Sequence, residues 1–194
     1  HAAGIWQGTD LEDLRAWVAW HVVHGRATLL SRAFVEENFD FYGRTLQGTD
    51  ELRARWKRGV GLVESCLGEA LGEIYVERHF PPSHKSMMET LVGRLIEAYR
   101  QSISSLEWMS PATRERALEK LALFTPKIGY PVRWRDYSAV EVVPGDVLAS
   151  VRSVERADMA YSLSKLTKPV DRDEWHMTPQ TVNAYYNPTM NEIV

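Results

Sequence analysis

Apolar residues recur every three or four positions along the first two-thirds of the chain, which is the spacing of one face of an α-helix. The longest series runs from Leu52 to Ile74 and ends before Pro81-Pro82, where a helix cannot continue. Shorter series follow residues that commonly cap helices: Thr9, Ser31, Ser83 and Ser110. The apolar residues that we expect the helix after Ser83 to bury are Met87, Leu91, Leu95, Tyr99 and Ile103. This part of the chain is therefore predicted to consist mainly of helices.

The pattern changes in the last third of the chain. Residues 125–143 are rich in proline and in β-branched or aromatic residues, which favours turns and short extended pieces. A further helix is expected after Pro144-Gly145-Asp146. Residues 181–186 and 191–194 then predict two strands joined by an Asn187-Pro188 turn. The predicted fold is thus mainly α and ends in a β-hairpin.

Composition places the chain among ordinary globular proteins, since 44% of its 194 residues are hydrophobic and 25% are charged. The 23 Lys and Arg against 26 Asp and Glu give a net charge of −3, which offers no electrostatic case for a nucleic-acid partner. Cys66 is the only cysteine, so neither an intrachain disulfide nor a cysteine-rich zinc site is expected. No apolar run is long enough for a transmembrane segment.

The sequence contains no complete catalytic motif: there is no HExxH helix, no phosphate-binding glycine loop and no GxSxG elbow. His21 and His24 lie one helical turn apart and could together hold a metal. No acid or third ligand is near them in the sequence, which favours two surface or half-buried histidines instead. Cys66 lies beside Leu67 on the long helix, where core packing is a simpler role than that of a nucleophile.

Asn183 is the residue with the most distinctive placement. Asparagine is a poor strand former, yet here it lies in a predicted edge strand, immediately before a turn. Because an edge strand has unpaired backbone groups, an extended peptide can add to it, and the Asn183 side chain could bond the peptide backbone. The alternative is an asparagine that only stabilises the hairpin, and the local sequence does not separate the two interpretations.

Four ordered stretches of the chain resemble one known family. The long one is residues 169–188 with Asn191-Glu192-Ile193-Val194, which includes Asn183-Ala184-Tyr185-Tyr186. The shorter stretches are residues 38–43 with Arg55-Trp56, residues 71–76 and residues 127–131. Together they resemble the neprilysin and endothelin-converting-enzyme family of zinc metalloendopeptidases, and most closely its bacterial endopeptidase-O and mycobacterial zinc-metalloprotease members.

This resemblance implies a two-lobed enzyme. Residues 1–106 would be the latter part of a helical lobe, and residues 107–194 would return into a thermolysin-like α+β catalytic lobe. By the family's Asn-Ala-x-Tyr motif, Asn183 would hydrogen-bond the backbone of a peptide substrate, and the Ala184 main chain would pair with it. Tyr185 and Tyr186 match the motif as well, at its x and Tyr positions, and Tyr185 is included among the residues that the resemblance implies for substrate binding.

The resemblance also implies one zinc ion, held in the family by two histidines of an HExxH helix and a downstream glutamate. No such residues occur before Val194. We therefore expect no catalytic or metal-binding residue in this segment, which would be inactive without the remainder of the catalytic lobe, carried by the same gene or by a second chain. The single cysteine favours a bacterial source, and the family favours an extracellular or cell-envelope location, with the cytoplasm left open. The alternative function is a non-catalytic helical scaffold or binding module.

Overall fold

The structure is a computed structural model that describes residues 8–194. The first seven residues, with which the predicted helical lobe begins, lie outside the described part of the chain. The helices, numbered in chain order, are α1 (Leu11–His24), α2 (Arg32–Phe39), α3 (Arg55–His79), α4 (Pro82–Ser105), α5 (Pro111–Ala122) and α6 (Val147–Ser164). A 3-10 helix covers Ala27–Leu29, and π-helical turns cover Asp40–Thr45. The strands are β1 (Thr125–Pro126), β2 (Tyr186–Asn187) and β3 (Glu192–Ile193). The predicted mainly α fold with a C-terminal hairpin is confirmed.

Side-chain caps fix where two of the helices begin. The Oδ1 atom of Asp10 accepts the Glu12 amide of α1 at 2.8 Å, so the cap lies one residue after the predicted Thr9. At α5, Ser110 caps as predicted, since its Oγ accepts the Thr113 amide at 3.2 Å. Each cap satisfies an amide that has no partner within its helix.

Helix α4 differs from its sequence prediction in two respects. It begins at Pro82 and not after Ser83, because a proline at the first helical position gives up an amide that would have no intrahelical partner there. Its predicted inner face is also largely exposed: the exposed fractions of Met87, Leu91, Leu95 and Tyr99 are 62%, 49%, 50% and 62%. The expectation that this face is buried is therefore wrong for the described residues.

The chain divides into two compact units. The first comprises the described residues up to Val60 together with Val142–Val151. In it Ala27 and Val35 are buried, and the Val143 amide donates to Ser150 Oγ at 2.9 Å. The predicted boundary between residues 106 and 107 stays a prediction, because a division into compact units does not define lobes.

The second unit comprises Gly61–Glu141 and Arg152–Val194. In it α4 packs against α5, and three short strands form one sheet in the order β1-β3-β2. Strand β1 pairs with β3 in parallel, with Thr125 opposite Glu192. Strand β2 pairs with β3 in antiparallel fashion, with Tyr186 opposite Ile193. The central strand is therefore β3, and β2 lies at an edge.

Among the described residues, no helix has the length and apolar character needed to cross a membrane.

Candidate substrate-binding segment

Residues 181–185, called here the candidate binding segment, lead directly into the edge strand β2. The Tyr185 amide donates to Val194 O at 3.1 Å, and the Val194 amide donates to Tyr185 O at 3.0 Å. Both backbone groups of Tyr185 therefore point towards β3. The N–H and C=O of one trans peptide unit point in opposite directions, so the Ala184 carbonyl and the Tyr186 amide point away from β3. No other strand of residues 8–194 pairs with that side of β2, which remains an open edge.

Asn183 is exposed, and of the two polar atoms of its side chain only Oδ1 is hydrogen-bonded within the described chain. Its Oδ1 accepts the Ala184 amide at 2.8 Å, and its own backbone amide donates to Thr181 O at 3.0 Å. The Nδ2 group donates no hydrogen bond to any residue of the described chain. Asn183 therefore presents two N–H donors to the outside, while the Ala184 carbonyl on the open edge remains available as an acceptor.

The candidate binding segment is not the regular strand that the sequence predicts. Strand β2 begins only at Tyr186, five residues after the predicted start at Thr181. The hydrogen bond from Asn183 to Thr181 closes a tight turn, and the Asn183 side chain occupies the amide of Ala184. Such local bonds compete with the ladder of a sheet and shorten the strand.

Tyr185 attaches the candidate binding segment to the rest of the sheet, and its backbone groups are not available to a further strand. Its backbone pairs with Val194, and the hydroxyl of its half-buried side chain accepts a hydrogen bond from the His176 amide at 3.3 Å. Its predicted contact with a peptide substrate stays a prediction.

A buried ion pair holds β3 in place beneath this segment. Lys127 Nζ lies 2.8 Å from Glu192 Oε2, and the two side chains are only 7% and 3% exposed. Lys127 Nζ also donates to Glu174 O at 2.8 Å. The Lys127 amide donates to Ile193 O at 2.8 Å, so the ion pair and this backbone bond both join β3 to the residue that directly follows β1. A charge in such a site requires its partner, because neither group is hydrated.

A polar cavity of about 280 Å³ lies elsewhere in the second unit. Its lining residues are Glu69, Arg135, Asp158, Tyr161, Ser162, Lys165, Glu174, Trp175 and His176. Arg135 pairs with Asp158 at 2.5 Å, and its guanidinium lies 4.7 Å from the centre of the Tyr161 ring. Lys165 pairs with Glu174, to which the Tyr161 hydroxyl also donates at 3.1 Å. The cations of the cavity are thus neutralised by its own carboxylates, and Asn183, Ala184 and Tyr185 are not among its lining residues.

These contacts shift three pKa values. Burial alone would raise the pKa of Glu174, but the hydrogen bonds and charge of Lys165 and the Tyr161 hydroxyl outweigh it and hold the pKa below its ordinary value. The hydrogen bond to Glu174 raises the pKa of Lys165. Burial, together with the negative charge of Glu174, raises the pKa of Tyr161. The Lys165–Glu174 pair is therefore charged over a wide pH range.

The described residues do not fit the zinc ion of the family. His24 stacks on Trp20 with ring centres 4.6 Å apart, and His21 meets Trp17 edge-on at 4.2 Å. Within residues 8–194, no group of three His, Cys, Asp or Glu side chains is placed to hold a metal ion. No catalytic step can therefore be derived from these side chains.

Sequence reasoning missed the structural roles of Lys127 and Glu192, although both lie in the stretches that carried the resemblance. It also missed a contact between the turn at residues 178–180 and helix α3. A signal for that contact was present, because Gly68 and Gly72 are spaced four apart on α3, which is typical of a helix face that another backbone approaches closely.

The sequence model of the family described as Peptidase family M13 matches residues 1–131, which is more than half of the chain. The chain belongs to peptidase family M13. The resemblance to the neprilysin and endothelin-converting-enzyme family is thereby confirmed.

Individual relatives agree with this assignment. The zinc metalloprotease Zmp1 of Mycobacterium tuberculosis, solved in an open state, is 55% identical with a TM-score of 0.90, over 98% of this chain and 30% of that one. A neutral endopeptidase of Lactococcus lactis subsp. cremoris is 30% identical over 93% of this chain and 29% of the relative. Endothelin-converting enzyme 1 of Homo sapiens is 34% identical over 96% of this chain and 25% of the relative. The chain thus spans less than a third of each of these proteins.

Proposed function

We propose that this chain is part of a zinc-dependent metalloendopeptidase, in which it supplies a wall of the substrate cavity and the segment that binds the peptide backbone. The observation that carries the proposal is the open edge at the start of β2, where the Ala184 carbonyl and the free Nδ2 donors of Asn183 lie on adjacent residues. An extended peptide can add to such an edge as a further strand. A peptidase needs this arrangement because the scissile bond must be held extended and in register before it is attacked.

The zinc ligands and the general base belong, in this proposal, to the rest of the catalytic lobe. They would be carried by the same gene or by a second polypeptide, and this chain would be inactive alone. When bound there, the zinc ion would activate the water that attacks the peptide bond. The residues of this chain bind and orient the peptide.

The test is made on Asn183 in the full-length protein that carries this chain. Asn183→Ala removes both the Oδ1 acceptor and the Nδ2 donors, whereas Asn183→Asp keeps an oxygen that can accept the Ala184 amide and removes only the donors. We expect kcat/KM for a peptide substrate to fall by roughly 10- to 1,000-fold in both variants, the range for loss of a positioning hydrogen bond. Hydrogen exchange of the Ala184 amide should rise in N183A and stay near the wild-type rate in N183D.

This pair of variants separates the two interpretations that the sequence leaves open. If Asn183 only stabilises the hairpin, N183D keeps wild-type turnover and N183A alone is impaired. That outcome, or unchanged turnover in both variants, would remove Asn183 from the substrate-binding role.

The non-catalytic scaffold remains the competing function, and peptide hydrolysis by the full-length protein separates the two. We expect the purified full-length protein to cleave unstructured peptides and to lose this activity on treatment with a metal chelator. A full-length protein that binds peptides or proteins without cleaving them would favour the scaffold.

A further inference from the structure

Helix α3 holds the turn that precedes the candidate binding segment through one carboxylate. Glu64 Oε1 accepts the Thr178 hydroxyl at 2.8 Å and the Gln180 Nε2 group at 2.9 Å. Gln180 Nε2 also donates to Gly68 O at 2.9 Å, directly after the kink of α3 at Leu67, where φ is −133° and ψ is 34°. These partners are more than 100 positions apart in the chain, so the contact is tertiary and not a product of local sequence.

The helix face beneath this turn has room for glycine only. A Cβ atom at Gly68 would lie 2.8 Å from Thr178 Cγ2, and one at Gly72 would lie 2.8 Å from Gln180 Oε1 and 2.9 Å from Pro179 Cδ. Separations below 3.0 Å force one of the two groups to move. Each interior glycine costs a helix about 1 kcal/mol relative to alanine. The two glycines thus lower the stability of α3 in exchange for close approach of the turn.

Hydrogen bonds continue from this turn to Asn183. Since Thr178 gives its only hydroxyl proton to Glu64, Thr181 must be the donor in the 2.8 Å contact between the two threonine hydroxyls. The Thr181 amide donates to Thr178 O at 3.0 Å, and the Asn183 amide donates to Thr181 O at 3.0 Å. Each bond fixes the residue that supports the next one.

We propose that Glu64, with the glycine face formed by Gly68 and Gly72, is a positioning residue for Asn183. This inference rests on the proposed function, because it assigns the placement of the side chain that would bond the peptide. Helix α3 fixes the segment on its N-terminal side, while the pairing of Tyr185 with Val194 fixes it on the other side. Neither Glu64 nor the glycines touch the peptide in this arrangement.

The test is a double-mutant cycle in the full-length protein. Gly72→Ala drives Pro179 and Gln180 away from α3, and the matched control Gly61→Ala makes the same change on the same helix where no atom lies within 4 Å. Because a misplacement of about 1 Å can cost about 100-fold in rate, we expect kcat/KM to fall by roughly 10- to 100-fold in G72A and to change less than about 2-fold in G61A. In the N183A background, G72A should lower kcat/KM by less than about 3-fold further, since the side chain that it displaces is already absent.

A second variant tests the positioning role independently, in case G72A does not fold. Thr178→Val keeps the Cγ2 contact with Gly68 and removes the hydroxyl that joins Glu64 to Thr181. We expect the same non-additivity with N183A, at a smaller loss of roughly 3- to 10-fold, with most of the loss in KM.

The outcomes distinguish the two proposals. A wild-type kcat/KM in N183A would overturn the proposed function, and the positioning role with it. A loss in N183A, combined with wild-type turnover in G72A and T178V, would overturn the positioning role alone. The positioning role would also be overturned if the loss of kcat/KM in G72A or T178V were the same in the N183A background as in the wild type. Glu64 and its glycine face would then act on stability and not through Asn183.

Discussion

Replacing Glu192 by glutamine should loosen the hairpin that carries the candidate binding segment. The side chains of Lys127 and Glu192 are 7% and 3% exposed and lie 2.8 Å apart. Glutamine has nearly the same shape but no charge, so the Lys127 ammonium would remain buried with only neutral acceptors, the Glu174 carbonyl among them. Removing one member of a buried pair costs about 3–5 kcal/mol, chiefly because the other charge is left uncompensated.

Hydrogen exchange measured by mass spectrometry detects this loss of stability at the backbone amides of the hairpin. The Lys127 amide donates to Ile193 O at 2.8 Å, and the Val194 amide donates to Tyr185 O at 3.0 Å, so both are protected only while β3 is paired. Since each 1.4 kcal/mol is a factor of ten in an opening equilibrium, about 3–5 kcal/mol predicts exchange faster by about two to nearly four orders of magnitude. Peptide turnover should fall with it if the segment needs a fixed hairpin.

Two controls make the prediction specific to burial. The Arg116–Glu119 pair has the same 2.8 Å length but is 82% and 53% exposed, so Glu119→Gln should change local exchange by less than about threefold. A double replacement of Lys127 by Met and Glu192 by Leu removes both charges and should restore exchange to near the wild-type rate. Wild-type protection in E192Q, or a double variant as fast as E192Q, would refute the reasoning.

Two further predictions concern other parts of the second unit. Gly61→Ala should stabilise the full-length protein by about 0.5–1 kcal/mol through helix propensity, whereas Gly72→Ala should destabilise it by about 1–3 kcal/mol through overpacking. Urea denaturation measures both, and equal shifts in the two variants would contradict the glycine-face argument. Because the pKa of Glu174 is lowered, its contribution to stability is present above its ordinary pKa of 4.5 and is lost as the pH falls through the lowered value. A carboxyl NMR titration should therefore place the Glu174 midpoint below 4.5 and move it upwards in Lys165→Met; a midpoint that Lys165→Met leaves unmoved would exclude Lys165 as the cause.

The features that sequence reasoning predicted correctly are encoded locally. Ser110 before Pro111 has both a capping hydroxyl and a proline at the first helical position, and the helix begins there. A turn between two strands occurs where the sequence predicts it, although it covers residues 188–191 and Asn187 itself belongs to β2. A cap or a turn depends on a few neighbouring residues, so a short stretch of sequence is enough to identify it.

The features that were missed depend on residues that meet only in the folded chain. Nothing in the sequence around Lys127 or Glu192 indicates that the two charges are buried together, which follows only from the pairing of β1 with β3. Glu64 is one of several acids on an amphipathic helix, and its contact with Gln180 spans 116 positions. The apolar face of α4 shows the opposite error, because it was predicted to be buried and is largely exposed. Helical spacing identifies an apolar face but does not show whether another element covers it.

The register in which a peptide could bind follows from which backbone groups are already occupied. Tyr185 pairs with Val194 and Asn187 pairs with Glu192, so the groups left open are both backbone groups of Tyr186 on β2 and the carbonyl of Ala184 two residues earlier. A peptide shifted by one residue would point its own backbone groups away from these positions. In the proposed function, the contacts of α3 and the Lys127–Glu192 pair would hold this row before a peptide binds, which would lower the cost of ordering the segment. In the proposed function, the Nδ2 group of Asn183 would add a directional donor at one end of the row, so the favoured register would be the one that satisfies both the edge and the side chain.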